Sequence, residues 1–365
     1  MPDVPLSALD LATVGEGSST TAALHATLQL ARLTEQLGYR RFWVAEHHNM
    51  PGIASAAPTV LMAAIAAATE TIRVGSGGIM LPNHAPLAVA EQIGTLAGLH
   101  PDRIDLGIGR APGTDPATAL ALRGPGADLG ADDFPQHLAE TMAFLDGGFP
   151  PGHPYAAIHC SPTPSQPPPV WLLGSSGFSA QLAGQLGLPF AFAHHFSAVN
   201  TVPALQLYRR SFQPSAQLAE PYAMVAVQVI VADDDERAHW LAGPAALSFL
   251  RLRRGRPGRL PTPEEAAAYP WTTAELGAAA QRREGQAIGS PATVAAALSD
   301  LIAATGADEI MATTMVHDPA DRRRSFELLA GLRRPATDPA TEAPAADTAG
   351  AASVSGPAAR GRAAR

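Results

Sequence analysis

Short β-type runs alternate along the chain with Ala/Leu-rich segments of helical period. The first run covers residues 4–10 and is followed by a helix-like stretch at 20–38. Runs at 41–45, 72–77 and 103–109 repeat the arrangement, each succeeded by a segment able to form helix, at about 55–69, 86–99 and 133–146. The Pro-rich connection 161–169 cannot be continuous helix. Beyond it, runs at 170–174 and 189–193 flank a helical stretch at 178–186. Runs at 222–232 and 308–314 bring the count to eight, with helical stretches at 198–213, 234–248, 291–305 and 320–332. Strand–helix alternation implies parallel pairing through right-handed crossovers. Eight such units over about 330 residues favour an α/β fold of the closed (β/α)8 TIM-barrel type with insertions, ahead of an open doubly wound sheet.

Two stretches break the pattern. Residues 251–286 open with Arg251, Arg253, Arg254, Arg256 and Arg259, pass Pro261 and Pro263, and continue into a helical stretch. This segment is expected to be an excursion or mobile lid, its arginines a solvated, flexible face. Residues 335–365 are Ala, Pro, Thr, Gly and scattered charge without periodicity and are expected to be disordered, which leaves 1–334 as one barrel domain.

Composition narrows the class of function. A hydrophobic content of 46% with 16% charged residues supplies a sizeable core. The net charge of −8 opposes a polyanionic partner, so no nucleic-acid ligand is expected. Cys160 is the single cysteine, which excludes an intrachain disulfide. No basic-then-apolar leader opens the chain and no apolar run reaches membrane-spanning length, so a soluble cytoplasmic protein without a membrane partner is expected. Every basic residue apart from histidine is arginine; the absence of lysine excludes Schiff-base chemistry and a P-loop lysine.

In a barrel of this kind chemistry gathers after the C-terminal ends of the strands. The second run ends in Glu46-His47-His48-Asn49, the third in Gly75-Ser76-Gly77-Gly78, the fourth in Gly107-Ile108-Gly109-Arg110 and the fifth in Gly174-Ser175-Ser176-Gly177. Imidazole titrates near neutrality and can move a proton, although strand-end histidines also satisfy backbone groups. Adjacent side chains leaving an extended strand point to opposite sides, so one of His47 and His48 faces the pocket. Three consecutive side chains make a poor metal cage, and no metal site is assigned.

The glycines at 75, 77 and 78 suit either a tight corner or a backbone platform against which a flat ring packs. Pro112 stands where a dinucleotide fingerprint needs its third glycine, which argues against that motif. Arg110 is a permanent bidentate donor suited to phosphate or to a structural ion pair. Ser175, Ser176 and Ser179 open a helix, either as an ordinary cap or, joined by Arg110 from the neighbouring strand, as an anion site. His84, His194 and His195 follow strand ends and are pocket-wall candidates, His194 and His195 being placed to reach a substrate.

Trp43-Val44-Ala45-Glu46-His47-His48, Val74-Gly75-Ser76-Gly77-Gly78-Ile79-Met80-Leu81-Pro82 and Gly107-Ile108-Gly109-Arg110 together resemble the luciferase-like flavin monooxygenase family, and the similarity spans roughly residues 4–333. The resemblance implies that His47 is the active-site histidine, which stabilises or protonates the oxygen adduct of the flavin. It also implies a non-prolyl cis peptide at Gly77-Gly78 beneath the ring, a ring contact or supporting role for Glu46, and phosphate ligation by Arg110, Ser176 and Ser179, with Ser175 beside them. Gly109 replaces a cysteine of true luciferases and Gly77-Gly78 a pair of alanines, which places the chain in the non-luminescent branch. The implied activity is a two-component monooxygenase, a homodimer that takes reduced FMN (FMNH2) from a separate flavin reductase and uses O2 to oxygenate a small organic substrate. Hydride transfer with the deazaflavin F420 and non-catalytic flavin binding are the alternatives.

Overall fold

The computed structural model describes residues 3–124 and 132–333. The strands are β1 (Leu6–Asp10), β2 (Arg41–Val44), β3 (Arg73–Ser76), β4 (Ile79–Met80), β5 (Ile104–Gly109), β6 (Val170–Gly174), β7 (Phe190–Ala193), β8 (Ala223–Val231), β9 (Gln286–Gly289) and β10 (Glu309–Thr313). Eight of them close a parallel barrel in the order β1-β2-β3-β5-β6-β7-β8-β10, with β10 returning to β1. These eight are the runs that the alternation predicts. The other two strands escape the pattern because they are short and lie outside the barrel. β4 adds two residues against β5, and β9 pairs with the C-terminal half of β8. The helix Pro116–Arg123 was likewise not anticipated.

Helix starts follow local chemistry. Pro58, Pro86, Pro116, Pro263, Pro291 and Pro319 each occupy the first helical position, where the missing N–H is no loss. Asp115, Thr262, Ser290 and Asp318 cap four of these helices through their side chains.

Strand side chains divide between two cores. Phe42, Val74, Leu106, Leu172 and Phe190 pack outward against the helices, whereas Leu9, Trp43, Trp171, Met224 and Met311 fill the barrel. The N-terminal end of the barrel is closed by charge. Arg41 pairs with Asp105 at 2.7 Å and with Glu309 at 3.0 Å, and Ser7, Trp43 and Tyr222 donate to the same two carboxylates. A buried ion network of this kind is tolerable only when every member is satisfied. The opposite, C-terminal end carries the glycines and histidines singled out above.

The 251–286 stretch is a pinned excursion. The helix Asp235–Arg253 extends into it, and the helices Pro263–Ala268 and Thr273–Arg283 follow. Buried Leu260 donates from its N–H to Val14 and accepts from Glu16, which fixes the segment to the loop after β1. The arginine run is largely exposed to solvent, as expected, and three of its five arginines also find partners. Arg251 pairs with Glu265, Arg254 with Glu275 and the Tyr269 hydroxyl, and Arg259 with the Ser18 carbonyl. Residues 335–365, expected to be disordered, lie outside the described residues. Among the described residues no helix is long and apolar enough to cross a membrane.

Candidate active site

The chain leaves strand geometry at Val44, and Glu46 turns inward to become a hub. Its buried carboxylate accepts from the Met80 N–H, from His48 Nε2 and from His84 Nε2, each at 2.9 Å. Burial raises the carboxyl pKa, but the bonds from His84, His48 and Met80 outweigh it and hold the group below the ordinary carboxylate range. Glu46 thereby ties the end of β2 to the β3–β5 connection. His84, expected in a pocket wall, is one of its tethers. His48, expected to face away from His47, is another: it lies two residues beyond Glu46 and on the same side, as alternation requires.

His47 stands apart from this cluster. Its backbone N–H donates to Ser55, but its Nδ1 is buried and has no hydrogen-bond partner. Such an atom is costly unless a ligand meets it. Burial depresses its pKa and the charge of His48 adds to this, against the pull of Glu46, so the ring is neutral at pH 7. Across the mouth, His194 bonds Thr201 at 2.7 Å and His195 bonds the Ala226 carbonyl at 3.0 Å. His195 is pushed down to about 4 by burial, against the Ala226 carbonyl and with the charges of Arg282, His194 and His47 adding to the shift. The segment that follows Arg282 comes against this wall: a Cβ on Gly285 would lie 3.5 Å from His194 Nε2 and 2.6 Å from the Ala198 Cβ.

These depressed imidazoles set a pH dependence. Where folding lowers a pKa, the unfolded chain binds more protons, so stability is full above the unfolded value and falls as pH drops through the interval. For His195 the interval runs from 6.5 down to about 4. Urea midpoints are therefore expected to decline from pH 6.5 to 4, and His195→Asn to flatten that decline; equal slopes would contradict the assignment.

Beside the end of β2, the end of β3 is bare backbone. The Gly77–Gly78 peptide is cis. A Cβ on Gly78 would lie 2.9 Å from the Gly107 carbonyl, and one on Gly107 would lie 2.0 Å from the Ser76 carbonyl. β3 and β5 therefore approach more closely than any side chain permits. The Ser76 hydroxyl bridges the two strands at 2.8 and 3.0 Å. Gly107→Ala is expected to destabilise the fold by about 2–3 kcal/mol through overpacking, measured by urea denaturation.

β5 lies beside β6 with Gly107 opposite Trp171, so Arg110 emerges next to Gly174. Its guanidinium stacks on Phe178 at 4.3 Å and has no ion-pair or hydrogen-bond partner among the described residues. Phe178 belongs to the helix Gly177–Gln185, whose N-cap, Ser176, makes no side-chain cap bond. Ser176 is exposed, Ser175 half-buried and Ser179 buried against β6. An arginine fixed over Phe178 thus stands at the N-terminal end of a helix whose cap serine makes no side-chain cap bond. Sequence reasoning missed Phe178, the platform that orients Arg110, and Arg282, which arrives from the excursion. Among the described residues no three His, Cys, Asp or Glu side chains converge as metal ligands.

The closed (β/α)8 barrel with histidines at its C-terminal face admits many chemistries, and the comparisons specify the class. The luciferase-like monooxygenase family profile matches residues 4–309, and the chain belongs to that family. A luciferase-like monooxygenase of Escherichia coli K12 is 47% identical over 326 residues, covering 89% of this chain and 96% of the relative. The N-acetyl-S-alkylcysteine monooxygenase of Bacillus subtilis is 33% identical over 329 residues, covering 89% and 97%. The solved structure of apo-MsnO8 is 37% identical and superposes with a TM-score of 0.81, covering 90% of this chain and 98% of that one. The same fold is shared by two more distant structures. One is the FMN-bound oxygenating component of 3,6-diketocamphane monooxygenase from Pseudomonas putida, 19% identical with a TM-score of 0.66, covering 90% and 96%. The other is an F420-dependent secondary alcohol dehydrogenase, 15% identical with a TM-score of 0.61, covering 91% and 99%.

Proposed function

We propose that this protein is an FMNH2-dependent monooxygenase, supplied by a separate flavin reductase, that acts as a homodimer on a small organic substrate. The observation that carries the reading is the buried, unpartnered Nδ1 of His47 beside the Gly77–Gly78 platform, with the Arg110–serine cradle on the adjoining strands. The residues fit FMN: Arg110, Ser175, Ser176, Ser179 and the helix N–H groups hold the phosphate, and the bare backbone at 77–78 accepts the ring. Reduced FMN supplies the electrons with which O2 gives one oxygen atom to the substrate and the other to water. Neutral His47 holds or passes a proton at Nδ1, and Glu46 keeps the platform and the strand end in register. The barrel interior excludes water from the reacting face.

A second reading, hydride transfer with F420, draws on the F420-dependent dehydrogenase of the same fold. Isotopically labelled O2, NADH, an FMN reductase and a panel of thioethers headed by N-acetyl-S-methylcysteine separate the readings. Labelled product is expected. Tight binding of F420 and none of reduced FMN would sink the first reading. FMN binding with oxygen uptake no faster than reductase alone, and no labelled product, would leave a flavin-binding role.

A further inference from the structure

Arg282 has the setting of a substrate ligand. It is the penultimate residue of the helix Thr273–Arg283, on the excursion that closes over the barrel. Its guanidinium lies over the Phe249 ring at 3.9 Å, which fixes the plane of the fork. Among the described residues it has no ion pair and no hydrogen bond. Two carboxylates of the same segment are already engaged, Glu265 by Arg251 and Glu275 by Arg254. One side of Arg282 borders a cavity of about 160 Å³ lined by Ala242, Ala279 and Trp271, so there is room beside it. Three residues on, at Gly285, the same segment meets the wall that carries His194, whose Nε2 would lie 3.5 Å from a Cβ placed there.

A half-buried guanidinium cannot shed its proton, and desolvation lowers its pKa with no anion to oppose the shift. Leaving such a charge unpaired is unfavourable, and pairing it on binding is where affinity is gained. In the proposed function the cofactor phosphate already has its cation in Arg110, which is held over Phe178 at the end of β5. The group that meets Arg282 must therefore belong to a second molecule.

We propose that Arg282 is a specificity-determining residue that pairs with the carboxylate of a small organic anion, holding that substrate with its reacting atom toward His47. The inference rests on the oxygenase reading only in treating the bound anion as the substrate. Anion binding itself needs no turnover. A neutral neighbour, His195, keeps the mouth from carrying two cations side by side, so the anion is drawn to the arginine.

Calorimetry of the full chain with oxidised FMN, using two matched pairs, tests this directly: N-acetyl-S-methylcysteine against its amide, and benzoate against benzamide. At least one carboxylate is expected to bind roughly tenfold to a hundredfold more tightly than its amide. Arg282→Gln, which keeps length and a planar group over Phe249, should abolish that preference while leaving amide affinity unchanged. Arg282→Lys should restore part of it. Circular dichroism establishes that each variant is folded, and Arg282→Met serves if Arg282→Gln is not. The proposal is overturned if no carboxylate outbinds its amide, if the preference survives in Arg282→Gln and Arg282→Met, or if amide affinity falls in parallel. Failure of the labelled-oxygen experiment with this preference intact would overturn the oxygenase reading and leave the anion site standing.

Discussion

Replacing His47 with alanine is expected to lower oxygenated product by roughly 100- to 10,000-fold, the range spanned by a positioned proton-transfer group. FMN affinity should change little, because the phosphate cradle on β5 and β6 is untouched. The buried Nδ1 has no protein partner to lose, so the fold should tolerate the change with only the cost of a lost side chain. Hydrogen peroxide should rise as product falls, since oxygen still meets the reduced cofactor but is no longer directed to substrate. Single-turnover product analysis with peroxide detection reads both quantities. Unchanged product yield would remove His47 from the mechanism. His48→Ala provides the contrast: it takes one of three donors from Glu46 and should reduce stability more than it alters the coupling of oxygen to product.

Arg110→Ala carries the second large effect. A charge-assisted contact to a phosphate contributes about 1.5–3 kcal/mol, so FMN affinity should fall roughly tenfold to more than a hundredfold. Arg110→Lys should recover only part, because lysine neither stacks flat on Phe178 nor offers two parallel donors. Fluorescence quenching of FMN by the protein measures this. Riboflavin, which lacks the phosphate, should bind wild type and Arg110→Ala alike. If Arg110→Ala held FMN as tightly as wild type, the cradle assignment would fail.

Some of this was legible before any coordinates. The glycines at 77–78 suited either a tight corner or a close backbone approach, and the structure shows the approach: a Cβ on Gly78 would lie 2.9 Å from the Gly107 carbonyl, while Gly107, which carried no such reading, would bring one to 2.0 Å from the Ser76 carbonyl. The serines before Phe178 marked a helix start next to a strand that ends in arginine. The Glu46-His47-His48 triplet was harder. Strand alternation divides the two histidines between opposite sides, and the division holds although the strand stops at Val44: Glu46 and His48, two residues apart, share one hydrogen-bonded cluster and His47 stands outside it. What distinguishes His47 is the lack of a partner, and that is a property of its surroundings. The arginine run 251–259 drew attention by its density and places two of its members in ion pairs, whereas Arg282, without any local signature, stands over Phe249 with no carboxylate among the described residues.

The sequence by itself determined the eight-strand barrel and the strand ends at which chemistry gathers. Alternation of apolar runs, proline at helix starts and glycine at close approaches are local properties, readable from neighbours within a few residues. Tertiary structure alone decided the division of labour within the site. Whether a carboxylate is a hub, a histidine is left unpartnered or an arginine lacks a counterion depends on groups brought together from distant positions. Glu46 meets His84 across 38 positions, and the segment after Arg282 meets the wall that carries His194. Burial sets the cost of leaving each of those groups unpaired, and burial exists only once the barrel has closed.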